Sequence, residues 1–262
     1  MNNDKKRIAE LDFIRGILIL LMLIQHFFYF FYRYLYGGIW KREVLSDSLI
    51  RFGYFLNEAL YEKPYCNIAM NIGWCIFFVL AGINFNFSKN NKKRALILLI
   101  AFSIYYFICF LLQNYTPYPL TLNFGIFLGY AAYILLYEFI KRFPFNIAII
   151  SSIVFLILSI FSYIFNFNLE INPLRWFKLS QRINMNYLDQ WSIFPSIFFY
   201  SAGYILGNTL YKEKKSKLLF FDKKIFSPFL TLGKYSKYIY IGNLVVFPLV
   251  FIITTGIINR GL

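Results

Sequence analysis

About seven hydrophobic runs, each long enough to cross a bilayer, constrain this chain more than any other feature of its sequence. They cover residues 12–36, 66–87, 94–113, 120–140, 144–166, 190–211 and 235–258. About 20 apolar residues in a helix match the hydrocarbon thickness, and a helix satisfies its backbone hydrogen bonds within its own segment. The pattern therefore predicts an all-α, polytopic helical membrane protein with about seven transmembrane helices.

The composition agrees with this prediction. Of the 262 residues, 59% are hydrophobic, and the mean hydropathy of +0.56 lies outside the range of soluble domains. The spans follow one another too closely to leave room for a soluble domain, so we expect a single integral-membrane domain over residues 1–262. The sequence shows no metal-ligand spacing, and we expect no metal.

The formal charge of +15 comes from short basic loops between the spans rather than from one folded basic face. This arrangement favours contact with the lipid bilayer over nucleic acid. The loops that alternate along the chain on one side carry Lys5, Lys6, Arg7, Lys89, Lys92, Lys93, Arg94, Lys141, Arg142, Lys212, Lys214, Lys215, Lys217, Lys223 and Lys224. The rule that positive loops stay inside then predicts a cytoplasmic N-terminus. We expect a multi-pass protein of the plasma membrane, the cell inner membrane.

The opposite side receives three segments that we expect to be loops: residues 37–65, 114–119 and 168–189. Their charges are mixed, and the first and last are long enough to cover a site. They are candidates for contact with a polar acceptor.

One face of the first predicted span is polar. Spacings of three and four residues place on it Asp12, Arg15, Ile19, Met22, His26, Tyr29 and Arg33. Ionisable groups are costly in hydrocarbon, so this face must turn toward protein or water. Plainer interpretations remain: Asp12 and Arg15 cap and anchor the helix, His26 packs against a neighbour, and Arg33 reaches the outer headgroups.

Several short motifs, in order along the chain, resemble the heparan-α-glucosaminide N-acetyltransferase catalytic-domain family, which has bacterial members. The opening motif alone also resembles other integral-membrane acyltransferases. The matching residues are Leu11, Asp12, Arg15, Gly16, Met22, His26, Leu80, Ala81, Gly82, Ile83, Phe87, Ser88, Arg94, Phe124, Gly125, Ile126, Asp189, Pro195, Gly203, Gly207, Gly233, Ser236, Ile239 and Tyr240.

The resemblance implies an acyltransferase that takes an acetyl or other acyl group from a cytoplasmic coenzyme A thioester. The acceptor would be an extracytoplasmic sugar or another cell-envelope molecule. Arg15 and three residues of an inside loop, Lys92, Lys93 and Arg94, would hold the coenzyme A phosphates. Asp12 would orient Arg15 through an ion pair.

His26 would act as a general base on the acceptor or as a transient acyl carrier. Gln25, Tyr29 or Asn243 would donate a hydrogen bond to the tetrahedral oxyanion. We also expect Tyr29, Asp189 and Trp191 to bind the acceptor; the alternative for the last two is an aromatic anchor at the membrane interface.

The chain departs from the family pattern where histidines are expected. Position 128 is Leu, position 243 is Asn, and Lys234 and Tyr235 replace a basic residue followed by histidine. An alternative is therefore a catalytically inactive family member that acts as a membrane transporter or envelope-complex subunit. A carrier unrelated to the family is a third possibility. A homo-oligomer is compatible with all three.

Overall fold

A computed structural model describes residues 8–36, 47–60, 64–113, 126–164, 193–218 and 224–260. All regular structure in these ranges is helical, as the sequence predicts. The helices are α1 (Ala9–Tyr36), α2 (Asp47–Leu60), α3 (Pro64–Phe85), α4 (Asn91–Gln113), α5 (Ile126–Ile140), α6 (Phe145–Ile164), α7 (Ile193–Thr209) and α8 (Ser227–Arg260). A short 3-10 turn, Lys224–Phe226, precedes α8.

Local chemistry explains several of the helix starts. Glu10 and Asp12 lie in the first turn of α1, where the positive end of the helix dipole favours carboxylates. Pro64 is the first residue of α3, a position where a missing N–H costs nothing. The Asn90 side-chain oxygen accepts the Lys93 N–H at 2.9 Å and so caps α4.

One prediction from the sequence is wrong. Residues 47–60 form α2, although the sequence predicts a loop over residues 37–65. With 14 residues, α2 is shorter than the apolar runs that indicate membrane spans. The last helix contains the predicted span 235–258 and begins before it, at Ser227.

By length and composition, one helical segment of the described residues, Ala9–Phe28, is long and apolar enough to cross a membrane. Three other apolar segments are shorter: Asn71–Phe85, Phe127–Ile140 and Phe145–Phe161. The number of spans therefore stays a prediction.

The described residues fall into two compact units. The first is drawn from Met1–Trp74 and Lys214–Leu262 and contains the packing of α1 on α8 and of α1 on α2. The second, drawn from Cys75–Glu213, pairs α4 with α5 and α6 with α7. The single integral-membrane domain stays a prediction.

Close helix contact in the second unit depends on two glycines. A Cβ on Gly82 would overlap the Tyr200 carbonyl oxygen, and a Cβ on Gly203 would overlap that of Val79. The backbones of α3 and α7 can therefore approach closely, a packing mode common between membrane helices. Around this contact the Tyr137 and Tyr200 side chains are fully buried.

Candidate active site

The described part of the polar face of α1, from Asp12 to His26, is turned toward protein, as its residues predict. Asp12, Ile19 and Met22 are 5%, 6% and 9% exposed. Leu21 and Ile24, on other sides of the same helix, are 55% and 43% exposed. The Asp12 carboxylate is therefore sheltered, while large aliphatic side chains occupy the exposed sides of the helix, as expected for a helix in contact with lipid.

Asp12 and Arg15 form the expected ion pair at the start of α1, between Arg15 Nη1 and Asp12 Oδ1. Their side chains are 7% and 20% exposed. The Asp12 carboxylate thus holds the Arg15 guanidinium beside the first turn of α1. This contact limits the conformations that the arginine side chain can adopt.

Helix α8 covers this face because two glycines let its backbone approach α1. A Cβ on Gly16 would overlap the Phe229 carbonyl oxygen, and a Cβ on Gly233 would overlap that of Asp12. The Phe13 ring packs edge-on against Phe226 and Phe229, with ring centroids 5.1 and 5.5 Å apart. The carbonyl of the ion-paired Asp12 is therefore in direct contact with α8.

Further along both helices, the same packing brings His26 to Asn243. Nδ2 of Asn243 lies 2.6 Å from Nδ1 of His26, across 217 residues of sequence. Asn243 is 5% exposed, and the His26 ring is partly exposed. Two residues that the sequence assigns to catalysis are thus hydrogen-bonded to each other, which places an oriented imidazole within an apolar helix pair.

A buried contact that the sequence does not predict lies at the start of α1. Glu10 is 1% exposed, and its carboxylate accepts hydrogen bonds from the Ser216 hydroxyl and from the Lys217 backbone N–H, the latter at 2.7 Å. Glu10 looks like an ordinary acidic residue of a first helical turn, so only its burial distinguishes it. It joins α1 to the basic segment before α8.

The predicted coenzyme A residues of the inside loop lie at the start of α4, in the second unit. Lys92 and Lys93 are exposed. Arg94 is half-buried: its guanidinium lies 4.8 Å from the centre of the Tyr130 ring, and Nη1 is 3.5 Å from the Asn84 carbonyl oxygen. The two lysines therefore present exposed positive charge suited to phosphate, whereas Arg94 is directed among the helices.

Other predicted site residues are less well defined. Tyr29 belongs to α1, three residues beyond His26. Asp189 and Trp191 lie outside the described residues. Within the described part of the chain, no cluster of three or more His, Cys, Asp or Glu side chains is arranged to hold a metal ion.

Comparison with known proteins identifies the family. No curated protein and no solved structure matches the chain. A family model described as heparan-alpha-glucosaminide N-acetyltransferase, catalytic, matches residues 45–244. This range includes α3 to α7 and reaches Asn243, and it begins after the polar face of α1. The family is membrane-associated and uses acetyl-coenzyme A. The chain therefore belongs to the heparan-alpha-glucosaminide N-acetyltransferase catalytic-domain family.

Proposed function

We propose that the protein is a multi-pass acyltransferase of the plasma membrane. It takes an acetyl or other acyl group from cytoplasmic acyl-coenzyme A and delivers it to a sugar or another envelope acceptor on the opposite face. The observation that carries this proposal is the His26–Asn243 pair, 2.6 Å apart, in a chain of this family.

Exposed apolar surface supports several membrane crossings. Many large aliphatic and aromatic side chains of α4 and α6 are 45% or more exposed: Leu96, Ile97, Ile100, Ile104, Phe107, Ile108, Ile150, Ile153, Val154, Ile157 and Ile160. A soluble monomer rarely exposes apolar surface on this scale, whereas lipid tails cover it without cost. Helices α4 and α6, with 23 and 20 residues, are also long enough to span.

The contacts of α1 with α8 support a specific topology. The two helices run in the same direction, because Gly16 meets Phe229 near both starts and His26 meets Asn243 further along both. Glu10 also holds Ser216, just before α8. Both helices then start on the same side of the membrane. The chain must therefore cross the membrane an even number of times from the start of α1 to the start of α8.

Six crossings, by α1 and α3 to α7, meet this requirement if α2 does not cross. With 14 residues, α2 is about 21 Å long, less than the hydrocarbon core. Its Phe52, Tyr54 and Phe55 are about half exposed, and such a helix suits the outer interface. With α8 the proposal has seven spans and a cytoplasmic N-terminus.

In this topology the two ends of the polar face have different roles. Arg15 lies at the cytoplasmic end of α1, where its guanidinium suits the phosphates of acyl-coenzyme A; the exposed Lys92 and Lys93 at the start of α4 are separate candidates for phosphate binding. His26 lies about 16 Å further along α1 and acts on the acyl group. Its imidazole either takes a proton from the acceptor or donates a hydrogen bond to the acyl carbonyl, depending on which ring nitrogen carries the proton.

The test uses the full chain purified in detergent with acetyl-coenzyme A labelled in the acetyl group. We expect coenzyme A binding, together with thioester hydrolysis or transfer to added amino sugars. His26→Ala should lower turnover by about 100-fold or more, because it removes the only group proposed to act on the acyl centre. Ile24→Ala, on an exposed side of the same helix, is the matched control.

Failure to bind coenzyme A would refute the proposal. Binding without turnover would instead favour the catalytically inactive family member. If turnover were normal in His26→Ala, transfer would stand and the role of His26 would be wrong.

A further inference from the structure

The contact between His26 and Asn243 has a direction. The atom that Asn243 places 2.6 Å from His26 Nδ1 is its amide nitrogen, Nδ2. The lone pair of an amide nitrogen is delocalised into the carbonyl, so this group donates hydrogen bonds and does not accept them. Nδ1 of His26 must therefore be the acceptor.

An acceptor at Nδ1 settles where the proton of the neutral ring lies. Neutral imidazole has one protonated nitrogen and one with a free lone pair. If Nδ1 supplies the lone pair, the proton is on Nε2. Among the described residues, no hydrogen-bond partner is found at Nε2. The ring nitrogen that does not contact Asn243 is then an N–H donor.

The surroundings shelter this contact and hold the two residues together. Asn243 is 5% exposed, so water cannot readily replace the bond. The contacts of Gly16 with Phe229 and of Gly233 with Asp12 fix the register of the two helices. Asn243 Oδ1 is buried without a hydrogen-bond partner in the described part of the chain. Rotating the Asn243 amide by half a turn would place its Oδ1 at Nδ1 of His26, and the ring proton would then lie on Nδ1. The orientation of the amide therefore determines which ring nitrogen carries the proton.

We propose that Asn243 is a positioning residue that holds His26 in the Nε2-protonated tautomer, so that His26 meets the acyl group as a hydrogen-bond donor. The second half of this statement rests on the proposed acyltransferase function. The donor stabilises the negative charge that grows on the thioester carbonyl oxygen when the acceptor's lone pair bonds to the acyl carbon. The C–S bond then breaks, coenzyme A leaves as the thiolate with the electron pair, and the acceptor's proton passes to the thiolate or to water, so the ring keeps its own proton. This role differs from the general base that the sequence suggests.

The chain offers a direct test because His26 is its only histidine. Labelling histidine with nitrogen-15 gives one pair of ring nitrogen signals, without assignment by mutation. The nitrogen coupled to both carbon-bound ring hydrogens is Nε2. At about pH 8, above the ordinary histidine pKa of about 6.5, we expect a protonated Nε2 and an unprotonated Nδ1 in the full chain in detergent.

Three results in the unaltered chain would overturn the proposal. They are a protonated Nδ1 with a bare Nε2, a ring protonated on both nitrogens, and two averaged signals that show no tautomer is held. The result does not depend on turnover, so an inactive protein with the expected signals would refute the proposed function and leave the tautomer assignment intact.

Two variants at position 243 test the cause. Asn243→Leu keeps a similar volume and removes the amide, so the two nitrogen signals should move toward each other as both tautomers become populated. Asn243→Asp replaces the donor by an acceptor, so Nδ1 should become protonated. Asn90→Asp adds the same charge at an exposed cap and should leave the His26 signals unchanged.

If Asn243 had a purely structural role, its substitution would lower the melting temperature and leave the position of the His26 ring proton unchanged in the folded protein. That result would overturn the proposal. Where transfer is measurable, Asn243→Leu should lower kcat by about twofold to tenfold with KM for acetyl-coenzyme A unchanged, because a free imidazole still populates the donor tautomer in part.

Discussion

Two glycines of α8 provide a matched pair for testing the close contact that assembles the candidate site. A Cβ on Gly233 would overlap the backbone carbonyl of Asp12, whereas a Cβ on Gly242 would meet nothing within 4 Å. Gly233→Ala and Gly242→Ala are thus the same chemical change in the same helix. They differ only in what the added methyl group meets.

The expected magnitudes follow from this difference. Alanine favours a helix interior over glycine by about 0.5–1 kcal/mol, so Gly242→Ala should be neutral or slightly stabilising. At Gly233 the obstacle is backbone, which cannot rotate away, and overpacking of this kind costs about 1–3 kcal/mol. The helix-propensity gain is common to both variants and cancels, so they should differ by about 1–3 kcal/mol, or roughly 2–12 °C in melting temperature for a chain of this size.

Thermal unfolding in detergent, followed by tryptophan fluorescence, measures this difference. Gly16→Ala, which would meet the Phe229 carbonyl, should behave like Gly233→Ala. The reasoning would be refuted if Gly233→Ala and Gly242→Ala melted at the same temperature. A selective loss of the His26–Asn243 hydrogen bond in Gly233→Ala would further show that the contact sets the register of the site.

Three further changes test other parts of the account. Glu10→Ala should cost about 1–3 kcal/mol and speed tryptic cleavage of the basic segment before α8, because buried hydrogen bonds are lost. Cleavage at the same rate in Glu10→Ala and in the unaltered chain would contradict the contact. A double-mutant cycle with Asp12→Ala and Arg15→Ala should give a coupling of about 1–2 kcal/mol in unfolding, since the pair is sheltered but not fully buried; zero coupling would argue against the ion pair. Ser48→Cys, in a chain without its native cysteines, places a single thiol at the start of α2. This thiol should react with a membrane-impermeant maleimide added outside intact cells. If it reacted only after the cells were lysed, the proposed topology would be wrong.

Local sequence patterns predict much of the fold and part of the candidate site. The polar face of α1 follows from helical spacing alone, and the Asp12–Arg15 pair lies at the spacing of three residues that brings side chains together. The all-helical class follows from the length of the apolar runs. The spacing of Gly203 and Gly207 indicates close helix packing, and both glycines indeed lie against α3.

The remaining features depend on partners that are distant in sequence. Nothing near His26 shows that Asn243 is its partner, because the two are 217 residues apart. Glu10 resembles any acid that favours a helix dipole, and its bonds to Ser216 and Lys217 arise only when α8 packs on α1. Helix α2 is too short for a search based on membrane thickness, so its apolar side chains resemble those of a loop.

The most direct test of the central claim is transfer across sealed membrane vesicles. Acetyl-coenzyme A labelled in its acetyl group is supplied outside inside-out vesicles that contain an acceptor in the lumen. We expect labelled product in the lumen with the unaltered chain, about 100-fold less or none with His26→Ala, and none in right-side-out vesicles whose cytoplasmic face is closed to coenzyme A. Labelled product on the same side as the coenzyme A, or as much product in the lumen without His26, would contradict this claim.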